Sequence, residues 1–237
     1  MAQTPPPDAA TLVADLRHVF GDRLRTVVAY GPHLDGDAEA PLTTLALVAG
    51  TLSVADLEDC AGLSARWARA GIATPLILPD EEFRKSLDAF PLEYGEIIRE
   101  YRSLYGEDPF AGVTIAPADL RRACETQVKS HLLHLREQFI ESRGAPRAVG
   151  NLVRTAAPAF AALLRTVARL AEARSTDRVE ATRDGARAAG VSEQIVDEVL
   201  ALERQTGAPM PDPARFFPDY LGAVEQLARA VDAWPVP

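Results

Sequence analysis

The feature that most constrains the fold is a change of pattern near Val113. Before it, short apolar runs alternate with helical segments and with turns that contain Gly or Pro, and after it the chain shows only helical periodicities. Short β-rich runs bounded by Gly or Pro indicate strands, whereas apolar residues three and four positions apart indicate helices. The order therefore predicts an α+β protein with two domains, a mixed-sheet domain over 1–113 and an all-α helical bundle over 114–237.

The strands of the first domain are predicted from three runs, at 24–30, 42–49 and 74–78. The second run is nearly continuous in apolar residues and Thr, which is typical of a strand buried on both faces. Ser53 and Asp56 have the spacing of a capping box, so they predict that a helix begins after this strand. The stretch 92–105 is ambiguous, and we expect a strand over 92–98.

The second domain is predicted to consist of helices at 117–143, 146–174, 178–189, 192–205 and 212–233. Pro158 is expected to kink or split the second of these, because proline lacks a backbone N–H and clashes with the preceding turn. The last helix carries Phe216, Phe217 and Tyr220, which we interpret as bundle core or dimer contact, with an aromatic ligand box as the alternative. A homodimer through this helical domain is therefore expected.

The charges are unevenly distributed between the two halves. Residues 1–113 contain 18 acidic and nine basic residues, whereas 114–237 contain 16 of each. An acidic first half disfavours nucleic acid as a partner. Seven Arg residues recur along two predicted helices, and we expect most of them to pair with nearby acids on helix surfaces, with a nucleic-acid surface as the alternative: Arg121, Arg122, Arg136, Arg143, Arg147, Arg154 and Arg165. No apolar run approaches the ~20 residues needed to span a bilayer, so we expect a cytoplasmic protein without membrane contact.

The metal-binding residue types are sparse. Cys60 and Cys124 are far apart and lack ligand spacing, which argues against a disulfide framework or a zinc site. His131 and His134 lie three positions apart on one predicted helix, but without a matching ligand pair we expect them to be packed or surface residues. The acidic loop 35–39 is expected to be solvated, with cation binding as the alternative.

The order of motifs in the first half points to a family. Tyr30-Gly31-Pro32 ends the first predicted strand, Gly36-Asp37 follows in a polar loop, and the buried strand 42–49 comes next. This order resembles the minimal nucleotidyltransferases, in which the first strand ends in Gly-Ser and an Asp-x-Asp pair opens the next strand. The stretches 90–94 and 105–109 also resemble a group of nucleotidyltransferase-like proteins that carry a helical C-terminal domain.

The resemblance implies a metal site that this sequence does not retain. Counting on from Gly31, the places of the two Asp residues are filled by Thr44 and Ala46, and Pro32 stands in the place of Ser. Mg²⁺ takes oxygen ligands, which a methyl group lacks, and the run 74–78 has no carboxylate where the family's third acid usually lies. We treat Gly31, Pro32, Thr44 and Ala46 as degenerate motif positions, and expect no catalytic residue, metal or cofactor. Asp at 44 and 46 is expected to raise Mg²⁺ affinity.

The expected role is therefore a non-catalytic one, in regulation or in binding a nucleotide or a protein partner. Tyr30, Asp35, Asp37 and Glu93 are the candidate residues of a cleft between the domains. Gly31 is interpreted as a turn glycine, with a phosphate-facing role as the alternative. Two other functions stay open: an active nucleotidyltransferase that uses displaced carboxylates, and one component of a toxin–antitoxin-like pair.

Overall fold

The chain folds into two compact units, Met1–Ile115 and Ala116–Pro237. The computed structural model describes residues 7–34, 40–175, 177–204 and 212–235. Within these ranges all strands belong to the first unit, and the second unit is helical. The predicted class, α+β with a helical C-terminal part, is confirmed.

The first unit contains, in chain order, helix α1 (Pro7–Phe20), strands β1 (Leu24–Tyr30) and β2 (Thr43–Val48), helix α2 (Val54–Arg69), strand β3 (Leu76–Pro79), helices α3 (Asp80–Lys85) and α4 (Pro91–Arg99), and strand β4 (Tyr101–Gly106). The strands form one sheet in the order β3-β2-β1-β4. Strand β1 is antiparallel to β2 and β4, whereas β2 and β3 are parallel. The mixed sheet and its three predicted strands are thus confirmed.

The strand expected over 92–98 is wrong, because these residues lie in helix α4. Pro91 occupies the first turn of this helix. A backbone N–H at that position would have no acceptor within the helix, so its absence in proline costs no helical hydrogen bond. Pro91, Tyr94 and Ile97 are the buried residues of α4, and their three-residue spacing is that of one helix face. The additional strand of the region is β4, which begins only after the helix ends.

Helix α2 begins at the capping box that the sequence predicts. The Ser53 hydroxyl accepts from the Asp56 N–H at 3.2 Å, and the Asp56 carboxylate accepts from the Ser53 N–H at 2.8 Å. Arg23 donates a further hydrogen bond to the same carboxylate. The Ser53 backbone donor, followed by Arg23, lowers the pKa of Asp56 to about 2.

The second unit contains helices α5 (Pro117–Glu141), α6 (Pro146–Leu170), α7 (Arg178–Ala189), α8 (Glu193–Arg204) and α9 (Pro213–Asp232). Helix α6 continues through Pro158, so the expected split does not occur. Pro158 is exposed, whereas Ala157 and Phe160 on either side of it are buried. Packing of these flanking turns holds the helix together where the proline removes one backbone hydrogen bond.

Aromatic side chains fill the interior of the bundle. Phe216, Phe217 and Tyr220 of α9 are all buried. The Tyr220 ring meets Phe160 of α6 edge-on at 5.4 Å between centroids, and Phe217 stacks on Phe139 of α5 at 4.2 Å. These three residues are therefore bundle core, and the dimer-contact and ligand-box interpretations lose their basis.

Candidate functional site

Strand β2 is covered by apolar side chains on both of its faces. Ala46 and Val48 belong to the core that includes residues of α1 and α2. Leu45 and Leu47 belong to a second core on the opposite face, which includes Phe83. All four side chains have no accessible surface, so the middle of β2 lies between two packed layers.

Thr44 points to the same side as Ala46. It pairs across the sheet with Ala29, and Ala46 pairs with Val27, both of which lie in the core with α1 and α2. The Thr44 hydroxyl is buried and has no hydrogen-bond partner among the residues that the structure describes. The two positions predicted to replace the acidic pair therefore face a closed core.

The other alternate pair of β2, Thr43 and Leu45, faces the opposite side of the sheet. Thr43 pairs with Tyr30 of β1 and donates its hydroxyl hydrogen to the Tyr30 carbonyl. Burial raises the pKa of the Tyr30 phenol, and its ring packs at the edge of the second core. Sequence counting missed this pair, since a shift of one position moves every side chain of a strand to the other face.

Gly31 forms a tight turn directly after β1. Its φ of +83° lies in the left-handed region that favours glycine, and its carbonyl accepts from the Leu34 N–H at 2.9 Å. A Cβ at this position would come within 2.8 Å of the Thr43 hydroxyl oxygen. The geometry supports the interpretation of Gly31 as a turn glycine, and the exposed Pro32 after it offers no N–H donor.

An aromatic cluster covers the face of the sheet that carries Thr43 and Leu45. Phe83 of α3 is fully buried at its centre, with its ring centroid 4.9 Å from that of Tyr94 and 5.7 Å from that of Phe110. The Tyr94 hydroxyl lies 3.2 Å from the Ser86 hydroxyl. This cluster was not anticipated, although the close spacing of Phe83, Phe90 and Tyr94 along the chain was a signal for it.

Tyr101 and Asp108 fasten the edge of this cluster. The Tyr101 hydroxyl donates to Asp108 Oδ1 at 2.7 Å, and the Phe110 N–H donates to the same oxygen at 2.9 Å. The hydrogen bond to Asp108 raises the pKa of Tyr101 to about 12, and it lowers the pKa of Asp108. The Tyr101 ring meets Phe110 edge-on at 4.6 Å. Asp108 therefore serves to position Phe110 over the sheet.

Of the remaining candidate carboxylates, only Glu93 lies within the described residues. Glu93 is exposed on the first turn of α4, and Asp35 and Asp37 lie outside the described residues. Within the described ranges, no three His, Cys, Asp or Glu side chains form a group that could hold a metal ion.

Both histidines of the second unit and several of its arginines have local partners. His131 Nε2 lies 3.3 Å from the Tyr220 hydroxyl, and its imidazole stacks near Phe160, so His131 is a packed residue as expected. His134 is exposed beside Glu137. The predicted surface ion pairs of the arginines are confirmed for Arg121 with Glu125, Arg122 with Asp119 and Arg136 with Glu225.

Comparisons with known proteins identify the fold. None of the described helices combines the length and the apolar character needed to cross a bilayer. No protein-family model matches the sequence, and no curated protein does. Nine chains of solved structures match. One is the spectinomycin adenyltransferase from Enterococcus faecialis, crystallised with ATP and spectinomycin; it matches with a TM-score of 0.57 and 13% identity, over 95% of this chain and 98% of that chain. The chain therefore has the nucleotidyltransferase fold, a mixed sheet followed by a helical C-terminal part.

Proposed function

We propose that this chain is a non-catalytic member of the nucleotidyltransferase fold that acts in regulation or in binding a ligand or partner. The observation that carries the proposal is the burial of β2 on both faces. Leu45 and Leu47 are packed on one side, and Ala46 and Val48 on the other. Whichever register is chosen for an i, i+2 pair of metal ligands, at least one of its positions lies in an apolar core.

The chemistry of nucleotidyl transfer explains why this matters. In-line displacement at a phosphate relies on metal ions that stabilise both the attacking and the leaving oxygens, and carboxylates hold those ions. Thr44 offers only a buried hydroxyl and Ala46 a methyl group. Neither position can supply the negative charge that a Mg²⁺–triphosphate complex needs from its protein ligands.

The same burial changes the expectation for restored carboxylates. The sequence alone predicts that Asp at 44 and 46 raises Mg²⁺ affinity. Thr44 and Ala46 face the core with α1 and α2. An unpaired carboxylate there would therefore lower the free energy of unfolding by several kcal/mol. We now expect Thr44→Asp with Ala46→Asp to unfold the first unit. A stable double variant with increased Mg²⁺ affinity would contradict this placement.

The alternative is an active nucleotidyltransferase that uses displaced carboxylates, and the likeness to an adenyltransferase favours it. It requires Asp35, Asp37 or Glu93 to take over the metal. We therefore propose an assay of pyrophosphate release with each of the four common nucleoside triphosphates, Mg²⁺ or Mn²⁺, and acceptors that include spectinomycin. We expect no turnover above background. The proposal would be overturned by turnover that is lost in Asp35→Ala, Asp37→Ala or Glu93→Ala. The control Asp88→Ala should then keep the activity of the unmodified protein.

A binding measurement separates a nucleotide ligand from a nucleotide substrate. In the proposed protein no carboxylate pair couples the nucleotide to a metal, so any nucleotide binding should persist when EDTA replaces Mg²⁺. Isothermal titration of the protein with a non-hydrolysable triphosphate under both conditions tests this. Metal-independent binding supports the regulatory role, whereas binding that requires Mg²⁺ supports the enzyme.

A further inference from the structure

Helix α2 exposes an apolar stripe along its whole length. Val54 is 72% exposed and Leu57 is 52% exposed. At the next three- and four-residue intervals the helix places Ala61, Ala65 and Ala68, all of them exposed. Residues at these intervals lie on one side of a helix, so the five form a continuous line about 20 Å long. We call these five residues the α2 stripe.

Another side of the helix is fixed to the rest of the unit. The buried residues of α2 are Asp56, Cys60 and Trp67. The Trp67 indole N–H donates to Asp15 Oδ2 at 3.0 Å, and Arg66 donates to the other oxygen of the same carboxylate at 2.9 Å. The α2 stripe is therefore held outward. The outer face of a surface helix usually carries charged residues, and this one carries none on the stripe itself.

The sizes of the stripe residues vary in one direction. Val54 and Leu57 are bulky and stand at the N-terminal end, whereas Ala65 and Ala68 are small and stand at the C-terminal end. The intervals are symmetrical about Ala61. If a second α2 packs antiparallel across Ala61, each Val54 faces the second copy's Ala68 and each Leu57 faces the second copy's Ala65. Bulky residues then meet small ones along the contact, which gives close packing.

Two charged residues beside the α2 stripe also favour the antiparallel packing of two α2 helices. Glu58 and Arg69 are three turns apart on one flank of α2, and among the described residues neither has an ion-pair partner. In an antiparallel pair the same flanks of the two helices adjoin. Side chains lean towards the N-terminus of their own helix, so Arg69 and the second copy's Glu58 lean towards each other. The charges therefore complement those of a second copy of this chain.

We propose that α2 forms a homodimer interface in which two copies pack antiparallel across a two-fold axis at Ala61. Such an interface uses the same surface on both copies, as two-fold dimers do. One pair of helices buries less than the ~800 Å² per partner of a standard interface, so we expect an affinity in the micromolar range. The interface belongs to the first unit, not to the helical bundle, and it does not depend on whether the protein is catalytic.

Sedimentation velocity of the full chain from about 1 to 300 μM tests the dimer, a range chosen around micromolar affinity. The unmodified protein should pass from monomer to dimer across it. Ala61→Glu places two carboxylates together at the axis and should keep the protein monomeric throughout. Ala55→Glu is the matched control, because Ala55 is exposed on the same helix but away from the stripe, and it should dimerise like the unmodified chain. Circular dichroism of both variants should match the parent.

A charge exchange tests the antiparallel geometry itself. Glu58→Arg alone and Arg69→Glu alone should each weaken dimerisation several-fold, and the double variant should restore it. An unmodified chain that stays monomeric at 300 μM would overturn the proposal, as would a dimer that survives Ala61→Glu. Two single variants whose losses simply add in the double variant would also reject the antiparallel pairing, since coupled partners deviate from additivity.

Discussion

Adding one methyl group at Gly185 should measurably destabilise the helical unit. Gly185 lies on α7 where that helix crosses α6. A Cβ built at this position would stand 1.8 Å from the Leu164 carbonyl oxygen, 2.6 Å from its carbon and 3.1 Å from the Ala168 nitrogen. These are backbone atoms and cannot rotate away. Helices α6 and α7 would have to separate by more than an ångström to admit the methyl group.

The expected magnitude follows from two opposing effects. Overpacking of a well-packed contact costs about 1–3 kcal/mol, and the backbone contact at Gly185 justifies the upper end of this range. Ala is a better helix former than Gly by about 1 kcal/mol. Gly185→Ala is therefore expected to lower the free energy of unfolding by about 2 kcal/mol. The stabilisation from helix propensity alone can be measured with a Gly→Ala change at a helical position where the methyl group contacts nothing.

Gly222 on α9 provides that control. A Cβ at this position meets nothing within 4 Å, and the residue is exposed inside the helix. Gly222→Ala should stabilise the unit by about 0.5–1 kcal/mol. Urea unfolding followed by far-UV circular dichroism measures both variants. Gly185→Ala with the stability of the parent or greater would refute the close approach of α6 and α7 on which the argument depends.

Three further predictions concern titratable groups and their partners. Burial lowers the pKa of His131, so the fold favours its neutral form. The free energy of unfolding should therefore fall as the pH drops below the pKa of an unfolded histidine, about 6.5. Urea unfolding at pH 7.5 and 5.5 should show a smaller fall for His131→Gln than for the unmodified protein. Asp56, with a pKa of about 2, contributes stability that is present above about pH 4 and lost as pH falls towards 2, and thermal melts of Asp56→Asn should lack this dependence. Tyr101→Phe should cost about 1 kcal/mol by urea unfolding, and ultraviolet titration of Asp108→Asn should show one tyrosine ionising at a lower pH than in the parent.

Local signals in this sequence predicted the elements that depend on local interactions. The capping box at Ser53 and Asp56 specifies a helix start by hydrogen bonds within four residues, so it could be recognised directly. The assignment of 92–98 failed because the short apolar stretch fits both a strand and a helix, and only the burial of Tyr94 and Ile97 against the sheet decides between them. The outcome at Pro158 likewise depended on packing by other helices.

The candidate site was harder to predict because it depends on strand register. Counting from Gly31 locates a pair of positions on β2 but cannot say which face they occupy, and the two faces differ by a single step along the chain. In the structure, the face of the sheet that each position occupies follows from its cross-strand partner, which is Tyr30 for Thr43 and Ala29 for Thr44. Tyr30 belongs to the aromatic side of the sheet and Ala29 to the side of α1 and α2. The apolar cover on both faces of β2 therefore disfavours a paired-carboxylate site on this strand in either register of the motif.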